Sequence, residues 1–176
     1  DVNPAFTIEH APQDMYAPYP MIGVNAAHYV GLHTSSFGGG SVSPQIYFEW
    51  EFGLDTDPAC ALDRASFQAA LNAFIARHPT FRSVVRPDGR METREDCPEY
   101  VLRETEGDDH HLIEKREKMM AMQIDPYTWP LFIVQSTQLP ARTASRIHFS
   151  VSLFLMDAMS DLILRHELSV LYRAFL

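Results

Sequence analysis

The sequence predicts an α/β fold, and three patterns carry this prediction. Residues 45–52 (QIYFEWEF) alternate apolar and polar side chains, which is typical of a half-buried strand. Residues 145–155 (SRIHFSVSLFL) alternate in the same way. Residues 63–78 instead repeat apolar side chains at helical spacing. Strands and helices therefore mix along one chain of 176 residues, which is long enough for one domain with a hydrophobic core.

The N-terminal part of the chain has little periodicity. Residues 1–18 contain three prolines and predict an extended arm or linker, which leaves residues 19–176 as the folded domain. Residues 21–32 predict a short helix. Residues 33–43 are rich in glycine and serine and predict a flexible loop. The run Gly38–Gly40 within it lacks the lysine and the serine or threonine of a phosphate-binding loop.

The rest of the chain continues the same alternation. Asp63 is the predicted N-cap of the helix at residues 63–78, and Pro79 helps to end that helix. Residues 87–89 (PDG) predict a turn. The remaining predicted strands are residues 82–85, 100–103 and 131–138. The remaining predicted helices are residues 108–123 and 161–175, the latter amphipathic.

The charge, hydrophobicity and cysteine content of the chain argue against several classes of function. The net charge is -9, with 23 acidic and 14 basic residues, which argues against a nucleic-acid-binding surface. No apolar run approaches the length of a membrane span. Cys60 and Cys97 form neither a metal-type spacing nor a disulfide framework, so we expect a reduced, cytoplasmic setting. The first residues show no signal peptide, and both ends suggest a piece of a longer polypeptide.

The strongest candidate site is the junction between the last strand and the last helix. His148, Ser150 and Ser152 share the polar face of the predicted strand, and Asp157 follows at the turn. A carboxylate there could orient a donor, hold an arginine or act as a general base. The structural alternative is that Asp157 caps the helix by accepting bonds from free backbone N–H groups. The residue pattern alone leaves both readings open.

Other chemistry-bearing clusters favour structural readings. Residues 108–111 (DDHH) contain metal-ligand types, but sequence neighbours do not converge on one ion, and a solvated helix start is the better interpretation. His28 and His33 each stand alone and are interpreted as structural. Met119, Met120 and Met122 are interpreted as core residues. The sequence contains no Gly-x-Ser-x-Gly elbow and no Cys/His nucleophile signature.

Four stretches of the sequence together match the pattern of one family: residues 19–31 (YPMIGVNAAHYVG), residues 72–82 with the signature Arg77-His78, residues 125–132 ending in WPLF, and residues 147–172. With these stretches the chain resembles the condensation-type domains of nonribosomal peptide synthetases, closest to their heterocyclization branch. Their order and spacing match over about residues 18–176. The resemblance implies a single chloramphenicol-acetyltransferase-like lobe with a mixed β-sheet, the N-terminal half of a complete condensation domain.

The departures from the family pattern lie in the last stretch. Heterocyclization domains carry Asp-x-x-x-x-Asp-x-x-Ser there, and this chain has Ser152 in place of the first Asp while Asp157 and Ser160 match. The catalytic His of ordinary condensation domains is replaced by Leu153, which excludes peptide-bond formation through that residue. We therefore expect a naturally truncated, modified domain, with an excised lobe as the alternative.

The resemblance implies a function in which an aminoacyl group is held as a thioester on the phosphopantetheine arm of a peptidyl carrier protein. We expect elimination-type tailoring, such as dehydration, with Asp157 as acid/base and with Ser152, Ser160 and His148 orienting the substrate or sharing the proton. No cofactor is expected to bind directly, since phosphopantetheine serves as the substrate tether. The expected partners are the carrier protein and neighbouring synthetase domains, without nucleic acid or membrane. The alternatives are a non-catalytic docking module and one lobe of a ring-forming heterocyclization domain.

Overall fold

The computed structural model describes residues 12–34, 44–52, 62–140 and 144–176. The strands in this part of the chain are β1 (Tyr19–Pro20), β2 (Gln45–Phe52), β3 (Ser83–Val85), β4 (Arg90–Thr93), β5 (Arg103–Glu106), β6 (Phe132–Leu139) and β7 (Ala144–Ser152). The α-helices are α1 (Val24–His33), α2 (Arg64–Arg77), α3 (Asp109–Ala121) and α4 (Ala158–Phe175). None of these helices combines the length and the apolar character needed to cross a membrane.

The main sheet has four strands in the order β2-β7-β6-β5. β2 and β6 both run antiparallel to β7, whereas β5 runs parallel to β6. This parallel pair is joined through α3, as parallel neighbours require a crossover. The sheet is therefore mixed, as the resemblance implied.

Helices cover both faces of the main sheet. On one face Phe149 of β7 belongs to the same buried cluster as Phe67 of α2 and Leu168 of α4. On the other face Leu112 of α3 packs with Leu139 and Ala144. β7 is consequently buried on both sides, and of its polar residues only Arg146 is partly exposed.

A smaller antiparallel sheet, in the order β1-β4-β3, lies beside the main one. Met91 of β4 and Val85 of β3 join the main hydrophobic cluster, which ties the small sheet to the core. Tyr19 pairs with Met91 across β1 and β4. The sequence pattern did not predict β1 or β4, since each offers too few residues to show an alternation.

Helix caps match the sequence patterns. The Asp63 carboxylate accepts a 2.7 Å hydrogen bond from the backbone N–H of Ser66 and starts α2. Asp108 accepts from the backbone N–H of His111 at 3.0 Å and starts α3, which confirms the helix-start interpretation of residues 108–111. The predicted strands at residues 45–52 and 131–138 are confirmed to within one residue by β2 and β6.

Four predicted boundaries were wrong by three residues. One is the start of α1, at Val24 instead of residue 21, and contacts in the structure explain the other three. Residues 100–103 do not form a strand, because side chains of α2 take up the backbone groups that a sheet would use: Asn72 bonds both the N–H and the C=O of Tyr100, at 2.7 and 2.9 Å. β5 therefore starts only at Arg103. The last strand ends at Ser152 because the backbone turns there, with the N–H of Leu155 donating to the Ser152 carbonyl at 3.0 Å.

The fourth boundary is the start of the last helix. α4 begins at Ala158 and not at Asp161, because Asp157 caps it.

Most of the predicted glycine loop, at residues 35–43, and most of the predicted arm, at residues 1–11, lie outside the described residues.

Candidate functional site

A cavity of about 520 Å³ opens at the junction between β7 and α4. Its walls come from four places: the start of α1, Thr80 in the short turn after α2, the turn after β7 and the first turn of α4. The lining residues are Ile22, Val24, Asn25, His28, Thr80, Leu153, Phe154, Leu155, Met156, Asp157 and Ser160. Cavities of this size commonly hold small ligands, with mostly apolar walls and a few polar groups.

Helix α1 is held against the turn by its own side chains. Asn25 donates through Nδ2 to the carbonyl oxygen of Phe154 at 3.3 Å. One turn further along the same helix face, the His28 ring meets the Phe154 ring edge to face, with 6.1 Å between ring centroids. These two contacts place α1 opposite the residues that lead into α4.

Asp157 is the N-cap of α4 and forms a capping box with Ser160. Its Oδ1 accepts from the Ser160 backbone N–H at 2.9 Å and from the Ser160 hydroxyl at 2.7 Å. The hydroxyl oxygen in turn accepts from the Asp157 backbone N–H at 3.3 Å. The side-chain and backbone hydrogen bonds from Ser160 lower the pKa of Asp157, so the carboxylate is ionised at neutral pH.

The capping geometry leaves Asp157 exposed at the cavity wall. An ionised carboxylate can accept a proton or hydrogen bond, or attract a cation. Because it is ionised at neutral pH, Asp157 can accept a proton and has none to donate, although its lowered pKa also makes it a weaker base. The structure thus brings two of the four residues singled out in the sequence, Asp157 and Ser160, into one cavity.

Ser152 lies outside this cavity and is fully buried. Its hydroxyl donates to the Pro44 carbonyl oxygen at 3.4 Å and accepts from the Phe154 backbone N–H at 3.4 Å. These contacts hold the turn that carries Leu153 to Met156 into the cavity wall. Ser152 can therefore affect the cavity only indirectly, by fixing the position of that turn.

His148 also lies outside the cavity, on the face of the main sheet that α3 covers, and is fully buried. Its Nδ1 is 2.8 Å from the Tyr47 hydroxyl, and its Nε2 is 3.0 Å from the Thr137 hydroxyl. Burial, followed by the nearby Lys115 ammonium, lowers the pKa of His148 to about 4. The ring is therefore neutral at physiological pH, with both nitrogens engaged in the network.

Glu49 fixes the hydrogen positions in this buried network. The Tyr47 hydroxyl donates to Glu49 Oε2 at 2.9 Å, and Arg146 donates to Oε1 at 3.0 Å. Burial would raise the pKa of Glu49, but the hydrogen bonds from Arg116 and Tyr47 outweigh it and lower the pKa. Since the single tyrosine proton goes to this carboxylate, the hydrogen of His148 resides on Nδ1 and Nε2 accepts from Thr137.

Three further cavity residues are not among the predicted site residues: Asn25, Thr80 and His28, the last of which its sequence context favours as structural. Asn25 and His28 are three residues apart in α1, the spacing that puts two side chains on one helix face. That spacing was visible in the sequence, but what the face meets depends on the fold. Among the described residues, no group of three or more His, Cys, Asp or Glu side chains could hold a metal ion.

Comparison with known proteins relates this chain to very large enzymes. It is 31% identical over 136 residues to bacitracin synthase 1 of Bacillus licheniformis, an alignment that covers 73% of this chain and 2% of that protein. It is 31% identical over 165 residues to phenyloxazoline synthase MbtB of Mycolicibacterium paratuberculosis, covering 89% of this chain and 13% of that protein. The chain thus spans only a small part of these relatives. No protein-family model matches it.

The fold has a counterpart among solved structures. The cyclization-docking bidomain of the nonribosomal peptide synthetase EpoB from Sorangium cellulosum superposes with a TM-score of 0.80 at 22% identity. The match covers 97% of this chain and 33% of that one. The mixed sheet and its helices therefore form the kind of lobe found in such domains, which agrees with the fold that the resemblance implied.

Proposed function

Because the chain is related in sequence and fold to the condensation- and cyclization-type domains of nonribosomal peptide synthetases, we propose that it modifies an aminoacyl group held as a thioester on a carrier protein. The proposed reaction is elimination of water, with Asp157 as the base. The observation that carries the proposal is the open cavity of about 520 Å³ with an exposed, ionised carboxylate in its wall.

The chemistry suits a single carboxylate. A thioester makes the proton on the neighbouring Cα more acidic, so that a positioned carboxylate can remove it without a metal. In the proposed step the Cα–H proton passes to Asp157, the Cα–Cβ double bond forms, and the Cβ–O bond breaks to release water. Ser160 positions the carboxylate through its 2.7 Å hydrogen bond.

Ser152 and His148 have indirect roles in this proposal. Ser152 holds the turn after β7 through its bonds to Pro44 and Phe154. His148 holds the middle of β7 through Tyr47 and Thr137. Both are proposed to set the position of the turn that forms one wall of the cavity, and neither needs to touch the substrate.

The proposed substrate is attached to another protein, and this attachment determines the expected partners. We propose that a peptidyl carrier protein brings the aminoacyl group on its phosphopantetheine arm and that neighbouring synthetase domains flank this one in the cytoplasm. The relatives support this setting, since the chain matches only 2% and 13% of two large synthases.

A non-catalytic docking module is the second candidate, and the capping box favours it. Asp157 and Ser160 satisfy each other at the start of α4, which accounts for both residues without any reaction. In that case the cavity would receive a carrier-protein arm and leave the bound group unchanged.

A lobe of a ring-forming heterocyclization domain is the third candidate. One relative is named a phenyloxazoline synthase, and the matched EpoB structure is a cyclization-docking bidomain. Against this candidate stands Ser152, a buried hydroxyl where the resemblance calls for a carboxylate.

The test measures the intact mass of a carrier protein loaded with a panel of β-hydroxy amino acids, before and after incubation with the chain. Dehydration lowers the mass of the loaded carrier by one water. Asp157→Asn is the informative variant, because asparagine caps a helix as well as aspartate does but is a far poorer base. Asp63→Asn is the matched control, since Asp63 caps α2 through the same bond to a serine N–H, outside the cavity lining.

The dehydratase proposal expects loss of water with the wild-type chain and with Asp63→Asn, and none with Asp157→Asn. Dehydration by Asp157→Asn at the wild-type rate would remove the base role from Asp157. If no loaded amino acid changes mass while the carrier still binds, the docking module becomes the better description. A product that has lost water and contains a new ring instead of a double bond would support the heterocyclization lobe.

A further inference from the structure

We infer that His28 is the proton donor to the leaving hydroxyl group in the cavity, an assignment that rests on the proposed dehydration. His28 and Asp157 are contributed by different elements, α1 and the start of α4, and both line the same cavity of about 520 Å³. An elimination needs one group that removes the α-proton and a second that protonates the departing oxygen. A carboxylate and an imidazole in one cavity supply this pair.

The position of His28 is fixed by packing. Its ring meets the Phe154 ring edge to face at 6.1 Å, and one turn earlier Asn25 bonds the Phe154 carbonyl oxygen at 3.3 Å. His28 is half-buried and borders the cavity. Histidine is also the side chain best suited to give and take a proton near neutral pH.

The other cavity residues do not supply this function as well. Asn25 is held by its bond to Phe154 and carries no titratable proton. The Ser160 hydroxyl already donates its proton to Asp157 at 2.7 Å. Thr80 has a hydroxyl whose proton is far less acidic than that of an imidazolium. His28 is thus the acid that the described lining offers.

The proposed reaction moves two protons, one to Asp157 and one from His28. Asp157 accepts the Cα–H proton of a β-hydroxy aminoacyl thioester, and the electron pair of that bond forms the Cα–Cβ double bond. The Cβ–O bond breaks, and the oxygen takes its second proton from the ring of His28 and leaves as water. Proton exchange with solvent then removes the proton from Asp157 and replaces the proton that His28 gave.

The test compares leaving groups. The carrier protein is loaded with whichever of L-serine or L-threonine the wild-type chain dehydrates, and in parallel with the matching β-chloro amino acid. Chloride departs without a proton, so its elimination needs the base but not the acid. Both substrates give the same dehydroaminoacyl product, which intact mass detects, and the rate without the chain is subtracted.

His28→Phe keeps the ring contact with Phe154 but has no proton to donate. We expect it to lower the rate with the hydroxy substrate by at least about 100-fold, the usual scale of general-acid catalysis, while the chloro substrate reacts nearly as fast as with the wild-type chain. His28→Asn tests the same loss without the ring. Asp157→Asn should lose both reactions.

His33→Asn is the matched control, because His33 lies on the same helix outside the cavity lining and bonds the Tyr29 carbonyl oxygen at 2.8 Å. It should leave both rates unchanged. Equal loss of both substrates in a folded His28→Phe protein would overturn the acid role, as would full activity on the hydroxy substrate. A wild-type chain that reacts with neither substrate would instead refute the dehydration itself, which keeps the two failures distinct.

Discussion

The hydroxyl and the backbone N–H of Ser160 both donate to the same oxygen of Asp157, Oδ1, at 2.7 and 2.9 Å. One residue pair thus caps α4 and holds an ionised carboxylate at the edge of a cavity. The capping and the basic role of Asp157 are separable by mutation, because only the second requires a carboxylate.

Asp157→Ala should lower the free energy of unfolding, because it removes the N-cap hydrogen bond of α4, whereas Asp157→Asn should leave it nearly unchanged. Urea unfolding followed by circular dichroism measures both values. Equal destabilisation by the two variants would mean that the negative charge at the helix start, and not the cap hydrogen bond, carries the stability.

Asn72→Ala should lower the free energy of unfolding by about 2 kcal/mol, because it leaves the backbone N–H and C=O of Tyr100 without the partners that they have at 2.7 and 2.9 Å. Asn72→Asp is the graded control. The carboxylate still accepts from the Tyr100 N–H but cannot donate to its C=O. An alanine variant as stable as the wild type would show that water replaces both bonds.

The Asn72–Tyr100 pair also shows which features of the fold a local sequence pattern cannot predict. The alternation at residues 45–52 and the helical spacing at residues 63–78 are local, and they predicted β2 and α2 nearly to the residue. The strand predicted at residues 100–103 failed because a side chain 28 positions earlier in the sequence takes up the backbone of Tyr100. No local pattern records such a partner.

The candidate site also has one part that local sequence could indicate and another that depends on distant packing. Asp157 and Ser160 are three residues apart, so their capping box is a local feature that the sequence could indicate. His148 was predicted as a site residue because it lies on the polar face of β7, in the strand that leads to Asp157. In the structure α3 covers that face. The sequence shows that a face is polar, and only the packing of a distant helix shows that it is closed.

The burial of His148 predicts a pH dependence of stability. Its pKa is about 4 in the folded chain, below the ordinary value for histidine, mainly because of burial and then because of Lys115, with smaller opposing and supporting contributions from Glu49, Arg146 and Arg116. The unfolded state therefore binds a proton more readily than the folded state. Stability should fall as the pH drops from about 6.5 towards about 4, and this contribution should level off below that range.

His148→Gln isolates this contribution, because glutamine is polar but does not titrate. The difference between the ordinary pKa of histidine and the folded value of about 4 corresponds to at most about 3.5 kcal/mol of stability over the whole range. The measurement is the free energy of unfolding of both proteins between pH 7.5 and pH 4.5. The wild-type chain should lose more stability than the variant; parallel curves would mean that His148 takes up no extra proton on unfolding.

Glu49 provides the last prediction, since it accepts from Arg116, Arg146 and Tyr47 while its side chain is only 15% exposed. Glu49→Gln removes the negative charge between the two arginines and should cost about 2 kcal/mol, the scale of charged hydrogen bonds away from solvent. Glu51→Gln is the matched control, because Glu51 pairs with the same Arg146 but is 43% exposed, and solvent weakens such a pair to less than about 1 kcal/mol. Urea unfolding at pH 7 should rank the two variants in that order. Equal costs would mean that solvent screens both pairs alike and that the network beneath α3 contributes no more than a surface ion pair.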